Sequence, residues 1–270
     1  MTLTHKIDFA LIISVKNANP NGDPLSGNMP RTTAEGLGEI SDVCLKRKIR
    51  DRLMDCGEAI FVQPDDRTTD GKRSLKERAD AILSEKKSRE ETMKKACKKW
   101  FDVRSFGQLF AFKGKDTEGV SISVRGPVTI HPAFSIEPVD IISTQITKSV
   151  NSEGDGSKKA SDTMGMKHRI DHGIYVTYGA MSPQLAERTG FSDQDAEKIK
   201  TILPRLFEGD ASSSRPEGSM RILKVFWWEH RSNGGQYSSA RVHESLKVNA
   251  DGSYELAELE GLDPEIIEGY

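Results

Sequence analysis

The sequence predicts a single α+β domain of split βαβ type, and three observations predict it. Apolar residues alternate along Ile7–Val15, the two-residue period of a strand. Two segments, one after residue 41 and one after residue 192, carry apolar residues three and four apart behind capping residues, the pattern of amphipathic helices. Three more strand-like runs fill the remaining places, so the order is strand, helix, strand, strand, helix, strand, as in ferredoxin-like folds.

Taken in order, Ile7, Phe9, Leu11, Ile13 and Val15 mark a half-buried first strand. "NANPNGDPLSGNMPR" (residues 17–31) follows, fifteen residues of turn chemistry ending in a single Arg. Ser41 or Asp42 caps a helix running to about Cys56, because Leu45, Ile49 and Leu53 recur four apart. Residues 57–119 form a polar, helical insertion; between Lys72 and Lys99 it holds eleven Lys or Arg against five Asp or Glu. "VSISVRGPVTI" alternates Val120, Ile122 and Val124 before Gly126-Pro127 interrupts it, which predicts the second strand. A second insertion, residues 131–171, contains "NSEGDGSKKASD", the composition of an exposed loop tip. "GIYVTYGA" is the third strand, and "FSDQDAEKIKTILPRLFEG" a helix with Ser192 and Asp195 in capping-box spacing, Pro204 as a kink and Gly209 as a stop. "MRILKVFWW" is apolar on both faces and therefore a central or doubly covered strand. Both insertions lie inside one domain spanning residues 1–270, whose tail after Lys247 has seven acids and no Lys or Arg.

Several functional classes are excluded or disfavoured. Cys44, Cys56 and Cys97 form no CxxC pair, which argues against a disulfide framework or zinc ribbon and fits a reducing cytoplasm. The apolar run at the amino terminus lacks a basic leader and is broken by Asp8 and Ser14, so neither secretion nor membrane insertion is expected. A net charge of −2 rules out a generic polycation; nucleic-acid binding would need a local stripe. No GxSxG, HExxH or GxxxxGK[ST] motif occurs, and His168 and His172 border a strand, so no catalytic centre, cofactor or metal site is expected.

The basic helix "DVCLKRKIRDRLMD" offers that stripe. Lys46 and Arg50 lie four apart with Arg47 beside them; Asp51 can neutralise Arg47 and Asp55 can neutralise Arg52, which leaves Lys46 and Arg50 on a wet face. In a split βαβ fold this helix starts beside the loop after the first strand. Gly22 and Gly27 let backbone amides approach a phosphate there, and Arg31 can grip it with its planar fork. The aromatic RNA-binding strand of RRM domains is absent, and Phe226-Trp227-Trp228 reads as core.

Four segments, "NPNGDPLSGNMPR", "SDVCLKRKIRDRL", "FDVRSFGQLFAF" and "RGPVTIHPAFSIEPVDI", resemble in this order the repeated backbone subunit of CRISPR Cascade complexes, the Cas-seven family in its type I-C branch. The resemblance implies a hand: an RRM-like palm, helical fingers from residues 57–119 and a β-hairpin thumb from residues 131–171. It implies copies stacked head to tail along a guide RNA, beside other Cascade subunits, with target DNA recognised by pairing to the guide. By position, Asn21, Arg31, Lys46, Arg47 and Arg50 would line the palm; in the thumb, Gln145, Thr147 and Lys148 would touch backbone, and Met164 and Met166 would wedge beside a displaced base. The acidic tail and basic fingers would attract one another between copies. Two alternatives stand beside this: a target-RNA endonuclease of the type III kind using Asp23, and a stand-alone RNA-binding domain.

Overall fold

In the computed structural model, which describes residues 1–83, 88–111, 121–148 and 164–270, the chain opens with β1 (Ile7–Ala18) and a loop pinned by the two-residue strands β2 (Gly22–Asp23) and β3 (Met29–Pro30). β4 (Leu37–Ile40) leads into α1 (Asp42–Asp55). A lateral lobe follows: α2 (Leu75–Leu83), α3 (Arg89–Lys99), α4 (Phe101–Phe106) and the ribbon of β5 (Gly107–Ala111) and β6 (Ser121–Arg125). The chain returns through β7 (Val128–Ile130), β8 (Ala133–Pro138), β9 (Ile141–Thr147) and β10 (Met164–Met181) to α5 (Pro183–Thr189) and α6 (Asp193–Ile202). It closes with β11 (Met220–Glu229), α7 (Ser239–Glu244), β12 (Leu246–Val248), β13 (Tyr254–Leu256) and β14 (Glu265–Glu268).

The main sheet is eight-stranded among the described residues, in the order β14-β11-β1-β10-β8-β4, with β7 and β9 also on β10 and every pairing antiparallel. β1 is therefore hydrogen-bonded on both edges. It is also covered on both faces, which corrects the half-buried expectation. Phe9, Leu11 and Ile13 pack with Leu45, Ile49 and Leu53 of α1 and Ile199 of α6. Ala10 and Ile12 pack on the opposite face with Phe226, Trp228, Val242, Leu246, Leu259 and Leu262. The alternation misleads because the second face carries small or polar residues, Asp8, Ala10 and Ser14, beneath a lid built from the chain's end. β11 does behave as the doubly covered strand its composition predicts, with Val225, Phe226, Trp227 and Trp228 all buried and Phe9 stacked on Trp227 at 5.8 Å between ring centres.

The second strand lies elsewhere than expected. Among the described residues β6 pairs only with β5, and Val120 falls outside them; the segments after Gly126-Pro127, β7 and β8, are the ones that join β10. Gly126 marks the crossing, since a Cβ there would stand 2.2 Å from the Ser105 carbonyl oxygen. The lobe between them has its own apolar cluster of Phe61, Ala96, Cys97, Trp100, Val103, Phe110 and Val124. α6 does not run through Pro204 as a kinked helix; it stops at Ile202 and tightens into a 3-10 turn, because proline offers no amide to continue it. The Ser192–Asp195 capping box forms as expected. The acidic tail is not left for a neighbour alone: Glu265 pairs with Lys200 and Glu268 with Lys224 of the same chain, as β14 adds to the sheet edge. Among the described residues no helix is long and apolar enough to cross a membrane.

Candidate nucleic-acid interface

Three parts of the sequence meet at one corner of the sheet: the loop 17–31, the start of α1, and the hairpin of β9 with β10. β1 is distorted at Asn17, whose φ is +52°, and makes its last pairing at Ala18 with Ile170 before the loop begins. Asn19, buried, spans the loop by donating from Nδ2 to the Asn28 carbonyl at 2.7 Å. At Gly22 a Cβ would fall 2.0 Å from Asn28 Oδ1, which would have to swing aside, and 3.1 Å from the Asn28 carbonyl oxygen; Gly27 is favoured by its φ of +60°. Asn21 ties the loop to α1, its Oδ1 accepting from the Ser41 amide (2.9 Å) and hydroxyl (2.7 Å), while Ser41 Oγ caps the helix by accepting from Cys44 N–H. Asn21 is thereby a structural bracket, half-buried between loop and helix.

Asp23 orders the loop tip. Its carboxylate accepts from Ser26 Oγ at 2.8 Å and Leu25 N–H at 3.2 Å, and stands 3.4 Å from Arg31 Nη2. The Ser26 hydroxyl first, then the Leu25 amide and the Arg31 charge, hold this carboxyl below the ordinary carboxylate value. Arg31 is half-exposed, and its Nε, buried, has no hydrogen-bond partner among the described residues.

The basic residues of α1 separate into two sets. Lys46 pairs with Asp42, four residues back, at 2.9 Å, so it is not uncompensated as its spacing from Arg50 suggested. Arg47 bonds Asp51, as expected, and keeps 41% of its side chain exposed. Arg50 does not stand on a wet face. Its Nε donates to Asp102 at 3.0 Å, and Asp102 is fully buried, accepting also from the amides of Phe61 and Val62. The partner lies fifty-two residues on in sequence, beyond the reach of any spacing argument. Lys48, next to these, is buried against Asp210.

In the hairpin Thr147 faces Met164 and Gln145 faces Met166 in register, so these four side chains share one face. Met164 and Met166 are 64% and 54% exposed, and Gln145 Nε2 lies 3.7 Å from Met164 Sδ. Lys148 is exposed at the end of this arm, and the tip "NSEGDGSKKASD" lies outside the described residues. Arg169, at the hairpin's root, donates from Nε to Asn17 Oδ1 at 3.2 Å and so joins it to the loop's root. His168 and His172 sit on β10, about 13 Å apart along the strand, and among the described residues no three His, Cys, Asp or Glu side chains are arranged to hold a metal.

Arg169, Lys16 beside the loop, and Arg215, which donates to the Asn19 carbonyl, were not expected here. Lys16 alone had a signal, being the last residue before the Asn-rich run. The sheet face opposite α1 and α6 is closed by α7, β12 and β13, so among the described residues that face offers no open aromatic platform for stacked bases.

The fold is similar to chains of two solved assemblies, named "CRISPR RNA-guided surveillance complex, pre-nicking" (TM-score 0.53) and "CRISPR RNA-guided surveillance complex" (TM-score 0.50). Each is 18% identical over 92% of this chain, covering 82% and 77% of those chains. A CRISPR-associated protein Cas7 of Haloferax volcanii is 25% identical over 99% of this chain and 82% of its own length. Residues 5–263 match the model of the family described as CRISPR-associated protein Cas7, and the chain belongs to that family.

Proposed function

We propose that this chain is a non-catalytic backbone subunit of a type I-C CRISPR RNA-guided surveillance complex, in which copies stack head to tail along guide RNA in the cytoplasm. The sheet is then an RRM-like palm, residues 57–119 supply the fingers and residues 131–171 the thumb. The order β11-β1-β10-β8, with α1 and α6 on one face, supports the palm. The observation that carries the proposal is the corner at Asn17, where the Gly-rich loop, the α1 terminus and the hairpin root are bonded together in a member of the Cas7 family.

Chemically, such a corner suits an extended polyanion held by shape. Arg31, Lys46 and Arg47 reach the ribose-phosphate chain, while Asn21 and Arg50 act behind them by holding the loop and helix in place. Gln145, Thr147 and Lys148 contact backbone along the thumb, and the two Met thioethers lie beside a base turned out of the stack, a soft apolar surface that accepts any base. Sequence is read by pairing between guide and target DNA, and other subunits of the complex complete the assembly. No cofactor is called for. Asp23 serves the loop with both oxygens, which favours an ordering role over acid–base work.

The test is co-expression of the full chain with guide transcripts of increasing length, followed by electron microscopy. Elongated particles that lengthen with the transcript are expected; particles of one size at every length refute stacking and leave a stand-alone RNA-binding domain. Complementary RNA given with divalent metal stays intact; regular fragments that vanish with Asp23→Ala overturn the non-catalytic assignment.

A further inference from the structure

The loop 17–31 contains one acid and one basic residue, Asp23 and Arg31, and it pairs them with each other. The pairing is loose. At 3.4 Å it is longer than the roughly 2.7–2.9 Å of a good charge-assisted bond. The stronger bonds of Asp23 go elsewhere, Oδ2 accepting from Ser26 Oγ at 2.8 Å and Oδ1 from Leu25 N–H at 3.2 Å, and neither needs a charge: the amide of an Asn can accept from Leu25 N–H and donate to the Ser26 hydroxyl in reverse. Arg31 meanwhile keeps a buried Nε–H without a partner among the described residues, so its fork is only partly engaged. The two functions of Asp23 are therefore separable: its acceptor shapes the loop, and its charge acts on Arg31.

We infer that Asp23 is a built-in counter-anion that restrains Arg31 and weakens its grip on ribose-phosphate, so that removing the charge while keeping the acceptor tightens RNA binding. The inference rests on the assignment of this loop as an RNA-binding surface. A phosphate approaching Arg31 must displace or sit beside a carboxylate of like sign, and each copy holds RNA less tightly than its cations alone would allow. A weak grip per copy keeps single copies off random RNA, while a stack sums many such contacts into stable binding. A purely structural acid predicts the opposite sign, since loosening the loop would weaken binding.

The experiment measures binding of the full chain to a short, mixed-sequence, fluorescently labelled single-stranded RNA by anisotropy, in a salt series. The variants are Asp23→Asn, Asp23→Ser, Arg31→Gln and Asp23→Asn with Arg31→Gln. Asn and Ser each keep an acceptor for the Leu25 amide by different geometry, and either one that melts with the wild type reads the charge. The expected result is a gain of about three- to ten-fold on neutralising Asp23 at about 0.05 M salt, fading towards none near about 0.5 M. Arg31→Gln weakens binding, and in its presence the gain from Asp23→Asn falls below about twofold, the coupling a double-mutant cycle detects. If neutralising Asp23 leaves binding unchanged or weaker while Arg31→Gln still weakens it, the counter-anion role is overturned and the interface stands. An equal gain with and without Arg31 also overturns it, in favour of general repulsion. If Arg31→Gln has no effect at all, the interface itself is misplaced.

Discussion

Replacing Arg50 by Ala should cost the fold far more than it costs RNA binding. The guanidinium supplies one of three donors to Asp102, at 3.0 Å, beside the amides of Phe61 at 2.7 Å and Val62 at 3.0 Å. Asp102 is 1% exposed, so water cannot replace the lost donor. Breaking a buried pair by removing one partner typically costs about 3–5 kcal/mol, because the remaining charge is left uncompensated. Arg50 is itself 13% exposed and Asp102 keeps two amides, which argues for the lower end, about 3 kcal/mol. Loss of the guanidinium over the Phe106 ring, 5.2 Å from its centre, adds to this. In a chain of this size about 3 kcal/mol lowers the melting temperature by roughly 6–12 °C. Thermal and urea unfolding of the RNA-free protein measure it. Anisotropy well below the melting temperature should find RNA affinity within about threefold of the wild type, whereas Lys46→Ala and Arg47→Ala should leave melting alone and weaken RNA binding. An Arg50→Ala protein that melts like the wild type yet loses RNA binding more than about tenfold would place Arg50 on the RNA surface and refute this account.

Two further outcomes follow from buried and exposed groups respectively. Burial alone would raise the Asp8 carboxyl, but hydrogen bonds from His230, His243 and Ser239 and the Lys6 charge outweigh it and hold it well below the ordinary carboxylate value. Its contribution is then fully present above the unfolded value near about 4 and drains away as pH falls towards the folded one. The stability gap between wild type and Asp8→Asn, read from urea midpoints, should be constant from about pH 7 to 5 and narrow below about pH 4; a gap unchanged down to about pH 3 contradicts it. Met164→Ser with Met166→Ser, both exposed, should shift melting by less than about 2 °C while disordering guide-dependent particles. Particles of unchanged order would move the base wedge elsewhere.

Elements whose signal is local were legible. Ser41 and the four-residue spacing of Leu45, Ile49 and Leu53 located α1 nearly to the residue, and Ser192 with Asp195 located α6. The loop's turn chemistry also lies where sequence order places it, whereas the face shared by Gln145, Thr147, Met164 and Met166 emerges only from the pairing register of β9 with β10. What failed depended on distant partners. The second strand was misplaced because Ile122 and Val124 alternate as a sheet strand does, while only the contact of Gly126 with Ser105 reveals that the chain is leaving a ribbon there. β1 looked half-buried because nothing near it announces that Val242, Leu246, Leu259 and Leu262 will cover its second face.

The same asymmetry governs the basic helix. From Asp42 to Asp55 the sequence presents Lys46, Arg47, Lys48, Arg50 and Arg52 as one cluster; the spacing reading assigns Asp51 to Arg47 and Asp55 to Arg52, and misses that Asp42, four residues before Lys46, pairs with it. The acids that decide the outcome, Asp102 and Asp210, come from the lateral lobe and from the segment before β11. Each draws one cation inward, and Arg104 with Asp195 repeats the device between the lobe and α6. α1 thus directs Arg50 to the lobe and Lys48 to the segment before β11, while Lys46 stays paired with Asp42, and Arg47, 41% exposed, stands between Asp51 and, at 3.9 Å, Asp66. A basic stripe on a helix is therefore evidence for polyanion binding only to the extent that its cations escape acids remote in sequence. For the proposed ledge that condition removes Arg50 and leaves Arg31, Lys46 and Arg47, each already facing an acid: Asp23, Asp42, and Asp51 with the more distant Asp66.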